Sequence, residues 1–338
     1  MSSTTISIPP STATVSVTAF DVAEDPSKIV IPAVFFQPVL PGHEILHLPI
    51  FAFLIEHTPT GRRDFENASP AFIQSFKSLG AAMPIARDIV EQLEDHGVDV
   101  NSIDAVIWRY VGRDLSKFPA STDLVYGAAT ATETCTVNPA SVLLDSDFAG
   151  RKSVPIKFDE TSFEIGGFKA HDFFGDGSLY VLDVPGHLKG HVCALARVTP
   201  DSFVFMGGDA CHHAGQFRPT STLHQCSPCP AGILEATRRT VSAEHFTPLD
   251  AEGKTQVATA ASIAMIGAFD ASADVLVMLA HDWSLVPALG PFPTSLDAWQ
   301  AKGYKKQVTW AFLGGVEPRL CIQPQACPSY FLISFTPS

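Results

Sequence analysis

Three stretches of this chain place metal-ligating side chains directly after apolar, β-prone runs. They are Pro185-Gly186-His187-Leu188-Lys189-Gly190-His191, Gly207-Gly208-Asp209-Ala210-Cys211-His212-His213 and Leu279-Ala280-His281-Asp282. The runs before them are Leu179 to Val184, Phe203 to Met206 and Val275 to Leu279. A strand end holds a side chain rigidly, and a neutral imidazole or a carboxylate is what zinc or iron takes. A single His after a strand is usually incidental. Taken one at a time, His187 is also a turn histidine and Asp209 a turn cap. Three such ends in the order His, Asp, His form a constellation.

Other reactive residues carry less. His212 and His213 read as pocket-lining or backbone-bonding residues. Cys226-Ser227-Pro228-Cys229, with His224 nearby, is a lone Cys-x-x-Cys. A structural zinc needs four ligands and no second pair has suitable spacing, so a loop is the better reading. The acidic balance, formal net charge −13, and the lack of a basic patch argue against a nucleic-acid partner. No apolar run approaches the roughly 18 residues that span a bilayer, so no membrane partner is expected. Met1 to Pro10 has no basic region and no long apolar segment, unlike a secretory signal. The seven Cys are scattered and odd in number, which suits reduced thiols in a cytoplasmic protein.

From Val181 to Asp282 the chain resembles the metallo-β-lactamase superfamily. That family's later motifs run strand–Gly-His-x-x-Gly-His, strand–Gly-Asp, strand–His. The resemblance implies that His187, Asp209 and His281 are metal ligands, with Asp209 bridging two zinc ions and orienting the nucleophile. It places His191 behind the ligands. Phe203 to Thr220 resembles a branch common in filamentous fungi, which acts on small molecules of the kind met in secondary metabolism. The implied activity is lactonase-like hydrolysis of a small-molecule lactone, ester, thioester or amide by a metal-bound hydroxide.

The front half of the signature departs from the family. The family's His-x-His-x-Asp-His follows a strand like Ile103 to Trp108. Here Arg109-Tyr110-Val111 stands in its place, before the familiar flank Gly112 to Pro119. Arg109 and Tyr110 either fill space or hold an anionic substrate, since Arg forks onto carboxylates. After Glu56-His57 and Gly61-Arg62-Arg63 the chain runs straight to Asp64-Phe65-Glu66-Asn67, so one core strand is expected to be shortened or absent. Divalent zinc normally takes three or four protein ligands. A catalytically degenerate member that binds a small ligand or partner through the old cleft is therefore the alternative to an active hydrolase.

The elements that must position these residues follow from pattern. The resemblance implies an α+β four-layer αβ/βα sandwich, and strands in two blocks closed by helices fit it. One metallo-β-lactamase-like domain is expected over 14–313, after a flexible N-terminus, 1–13, and before an atypical tail, 314–338, β-prone enough to replace a lost strand. Alternation at Val15, Val17 and Ala19 predicts a first strand. Further strands are expected at Phe51–Glu56, Ile103–Trp108, Leu124–Tyr126, Phe163–Phe168, Leu179–Val184, Val192–Val198, Phe203–Met206 and Val275–Leu279. Helices are expected after Ser69-Pro70, around Ile85–Leu93, over Lys254–Ala268 and around Leu296–Lys302. Residues 127–160 read as irregular.

Overall fold

The computed structural model describes residues 6–23, 30–32, 45–67, 89–108, 115–138, 141, 143–160, 163–220 and 254–313. Its strands begin with β1 (Ser16–Asp21), β2 (Val30–Pro32), β3 (Ile45–His47), β4 (Phe51–His57), β5 (Arg62–Asn67), β6 (Ala105–Trp108), β7 (Asp123–Gly127) and β8 (Ser153–Ile156). They continue with β9 (Glu164–Ile165), β10 (Phe168–Asp172), β11 (Leu179–Asp183), β12 (Val192–Thr199), β13 (Ser202–Gly208), β14 (Val275–Leu279) and β15 (Thr294–Ser295). The α-helices are α1 (Ile89–Asp95), α2 (Asp145–Phe148), α3 (Lys254–Ala271), α4 (Val286–Leu289) and α5 (Tyr304–Val308).

Two large sheets form, ordered β15-β1-β4-β5-β6-β7-β8 and β14-β13-β12-β11-β10-β9. Side chains alternate across each, as the two-residue strand period requires. Phe51, Phe53 and Ile55 of β4 join Val192, Ala194 and Ala196 of β12 in the core between the sheets. Ala52 and Leu54 face the other way, into a layer shared with Ile89 and Leu93 of α1. Cys193 and Leu195 face out on the other side, against Ile263, Ile266 and Phe269 of α3. The result is helix, sheet, sheet, helix: the expected four-layer sandwich.

Strand β5 corrects one expectation. Far from being absent, it spans Arg62–Asn67 and pairs antiparallel with β4 and parallel with β6. Both its edges are used, so the sheet needs no substitute strand. The tail 314–338 lies outside the described residues, as do the expected helix after Ser69-Pro70, Arg109, Tyr110 and the Cys226–Cys229 pair. Other departures are local. Phe163–Phe168 is not one strand, because Gly166 and Gly167, at φ 59° and 88°, turn the chain into the β9–β10 hairpin. Leu296–Lys302 is a run of turns, and the helix starts only after Gly303. The stretch 127–160 contains α2 and β8. Residues 6–13 are tied to the body: Arg197 Nη2 donates to Pro9 O at 2.5 Å and Ser11 Oγ to Asp176 O at 2.5 Å.

Candidate active site

The second sheet aims three strand ends at one place. β12 runs antiparallel to both β11 and β13, so β11 and β13 run the same way. β14 lies parallel to β13. The carboxyl ends of β11, β13 and β14 therefore open on one edge, and they carry His187, Asp209 and His281. A register shift between Met206 and Gly208 sets Gly208 opposite Leu279, and Ala280 N donates to Gly208 O at 3.0 Å. Asp209 and His281 thus stand side by side. The turn before His187 needs Gly186. It sits at φ 142°, and a Cβ there would lie 2.7 Å from Thr259 Cα of α3.

The sequence-identified residues do meet. Asp209 Oδ1 lies 2.8 Å from His281 Nε2, and the two residues are 2% and 3% exposed. His212 joins them: its ring centroid is 5.2 Å from that of His187 and 6.2 Å from that of His281. His191 stands behind, 5.8 Å from His187 and fully buried. His213 turns away. Its Nδ1 accepts from Gly215 N at 3.0 Å and its ring meets the edge of Phe312.

The His281 tautomer is fixed from across the molecule. Its Nδ1 lies 2.9 Å from Pro49 O. A carbonyl only accepts, so Nδ1 carries the proton. Nε2 then meets the Asp209 carboxylate, and two acceptors at this distance repel unless a positive charge, a proton or a cation, sits with them. Burial alone would push the Asp209 carboxyl up. The close approach of His281, with His187 and His212 behind it, outweighs burial and holds it well below the usual carboxylate range. Burial and the neighbouring His187 lower the His212 imidazole to about 3, so it is neutral near pH 7. Burial raises the carboxyl of Asp282 against the opposing pull of Arg218.

The described donors do not by themselves make a metal cage. Among the described residues, no three His, Cys, Asp or Glu side chains are arranged to hold one ion. Asp209 Oδ1 faces His281 directly but forms no aligned hydrogen bond among the described residues. The Arg109-Tyr110-Val111 stretch, where the resemblance would require further ligands, has none to offer.

A cleft opens beside this cluster. Its walls include His47, Leu48, His212, His281, Trp283 and Phe312. Neither His47 nor Trp283 is among the site residues that the strand-end motifs single out. His47 is one histidine of 12 and closes a His43-Glu44-Ile45-Leu46-His47 stretch, a spacing that pairs two imidazoles only on a helix. Ile45–His47 is instead β3, and its pairing with β2 and the packing of the His47 ring on Trp283, centroids 5.2 Å apart, bring it here.

No protein-family model matches the chain. It is 35% identical over 328 residues to the Metallo-hydrolase mfmC of Annulohypoxylon moriforme, covering 86% of this chain and 84% of that protein. It is 33% identical over 351 residues to the Gamma-lactamase FDB1 of Fusarium pseudograminearum (strain CS3096), covering 92% and 84%. It is 37% identical over 336 residues to the Cytochrome P450 monooxygenase mpaDE' of Penicillium brevicompactum. There it covers 92% of this chain but 38% of that protein, so the chain spans well under half the length of this relative. Among solved structures, the fold is similar to an N-acyl homoserine lactone hydrolase with product bound at its catalytic metal centre. That match has TM-score 0.52 and 12% identity over 84% of this chain and 100% of that one.

Proposed function

The chain belongs to the metallo-β-lactamase superfamily, and from that premise we propose that it is a hydrolase of a small-molecule lactone, ester, thioester or amide. The observation that carries this reading is the buried Asp209 carboxylate, held ionised among His187, His212 and His281 at one edge of the second sheet. The named hydrolases that share a third of its residues over most of their length support it.

In relatives of this superfamily a bound metal supplies an activated hydroxide. The described residues of this chain do not fit such a centre, so their own chemistry is what counts. Asp209, ionised, accepts a hydrogen bond from the attacking water and orients it. As the water oxygen bonds to the carbonyl carbon and the C–O, C–S or C–N bond breaks, the water's proton passes to the departing group. His212, neutral, donates a hydrogen bond to the carbonyl oxygen as charge develops on it. His281, anchored through Pro49, keeps the carboxylate in place. The products are an acid and an alcohol, thiol or amine. The substrate is a small molecule, and the chain acts in the cytoplasm. Among the described residues no helix is long and apolar enough to cross a membrane.

The test is acid release, followed by pH-stat, on a panel of one lactone, one ester, one thioester and one amide. Turnover of at least one, lost in Asp209→Asn, is the expected result. A second reading, a silent member that binds a ligand through the same cleft, is favoured by the absent His-x-His-x-Asp-His. Ligand binding without turnover of any panel member, in protein purified with and without added zinc, would establish that second reading instead.

A further inference from the structure

The walls of the cleft say what kind of molecule it takes. Its lining holds no Lys or Arg among the described residues. Asp282 lies on the wall and Asp209 immediately behind it. A carboxylate-bearing ligand would meet the Asp282 carboxylate and find no Lys or Arg among the described lining residues to replace its lost water. The rim is apolar: Ile45 is 54% exposed, one of three large hydrophobic side chains left so exposed among the described residues. Leu46, Leu48 and Phe312 continue that surface inward.

A polar group on this wall stands out. His47 Nδ1 is buried and meets no hydrogen-bond partner among the described residues. Its ring is held by Trp283, tilted at 37° with centroids 5.2 Å apart. Trp283 is in turn fixed by its place in the turn that Asp282 caps, through Ser284 N at 3.0 Å. A buried nitrogen without a partner costs free energy, and a ligand that bonds to it recovers that cost. This part of the wall is therefore an apolar surface, Ile45, Leu46, Leu48 and Trp283, with His47 Nδ1 as a rigid hydrogen-bonding point set beside His212 and the Asp209–His281 pair.

We propose that this cleft selects a neutral, largely apolar carbonyl compound over its carboxylate counterpart, with His47 as the positioning residue that orients it. The proposal rests on the hydrolase reading for what happens next, but selection and orientation are properties of binding and are measured as such.

Trp283 supplies the signal. γ-Decanolactone is the neutral probe and decanoate the anionic one, each titrated into the full chain while tryptophan fluorescence is followed. Trp283→Phe shows which part of the signal comes from the cleft. The lactone is expected to bind at least tenfold more tightly than decanoate. His47→Ala should weaken lactone binding about fivefold, the effect of one lost hydrogen bond, with His47→Gln restoring part of it. Neither variant should move the decanoate midpoint. Equal or tighter binding of decanoate overturns the selection. A lactone midpoint unchanged in both His47 variants overturns the role of His47, as does an equal loss for both probes, which marks a merely structural residue. Binding of neither probe overturns both. Lactone hydrolysis is followed separately: selective binding without turnover sinks the hydrolase reading and leaves this one standing, and turnover indifferent to His47 does the reverse.

Discussion

Two buried ion pairs stand close to the end of β13, and they are built to opposite specifications. Arg218 grips Asp270 with both arms, Nε to Oδ2 and Nη2 to Oδ1, each at 2.8 Å. Its remaining nitrogen donates to Val308 O and Thr309 O at 3.1 and 3.3 Å. The charge and hydrogen bonds of Arg218 overcome burial and hold the Asp270 carboxyl low. This is a finished pair, and it ties α3 to the turn after α5. Asp209 and His281 approach as closely, at 2.8 Å, yet Asp209 Oδ1 has no aligned hydrogen bond among the described residues. One pair spends its hydrogen-bonding capacity on the fold. The other leaves capacity at the edge of a cleft, which is where chemistry has use for it.

The largest effect expected from breaking this comparison is on stability. Arg218→Met leaves Asp270 buried without its partner and is expected to cost about 3–5 kcal/mol, measured as the urea midpoint with the slope checked for two-state behaviour. Asp209→Asn is expected to lower turnover of a hydrolysed panel member by about 100-fold or more, while moving the urea midpoint far less than Arg218→Met does. If Asp209→Asn unfolds the protein as readily as Arg218→Met, the two pairs are not different in kind.

Acid sharpens the comparison. The folded imidazole of His212 is lowered to about 3, below its unfolded value of about 6.5. As pH falls below about 6.5 the unfolded chain takes up a proton that the folded chain refuses, so stability drops in that window. The loss is expected to be on the order of 2 kcal/mol by about pH 4.5. The carboxylates Asp209 and Asp270, both depressed in the folded state, contribute stability that is present above about pH 4 and lost only below it. Urea midpoints at pH 7, 5.5 and 4.5 for the parent and His212→Gln separate the two windows. A variant that loses stability over the upper window as the parent does would show that His212 is not the group titrating there.

The smallest effect is expected from metal removal. With the described donors unable to cage an ion, protein dialysed against a chelator should melt within about a degree of the untreated protein. It should also retain well under two metals per chain by elemental analysis. A large drop in melting temperature, with two metals lost, would mean that residues outside the described set complete the site.

Much of the site was legible along the chain. The strand Val275–Leu279 matches its expected limits, and His187, Asp209 and His281 follow apolar runs that form β11, β13 and β14. Local periodicity carries this information, because a run buried on both faces is apolar whatever it packs against. The Gly166-Gly167 turn is legible too, as a glycine pair inside an otherwise apolar run.

What the chain by itself determined was the order of the strands and the identity of the residues at their ends. Tertiary structure decided the rest, because it depends on groups far apart in sequence. Arg62–Asn67 carries no strand-like alternation, yet β4 and β6 offer it two edges and make it β5. Arg151, remote in sequence, closes the turn 115–122 by donating to Leu115 O, Phe118 O and Thr122 O. The proton on His281 is set by Pro49, 232 residues away. His47 reaches the cleft only through β2 and the face of Trp283. Sequence spacing fixes what lies on one strand or one helix face, whereas the meeting of separate strands, and hence which atoms are left facing a ligand, is settled only when the sheets close.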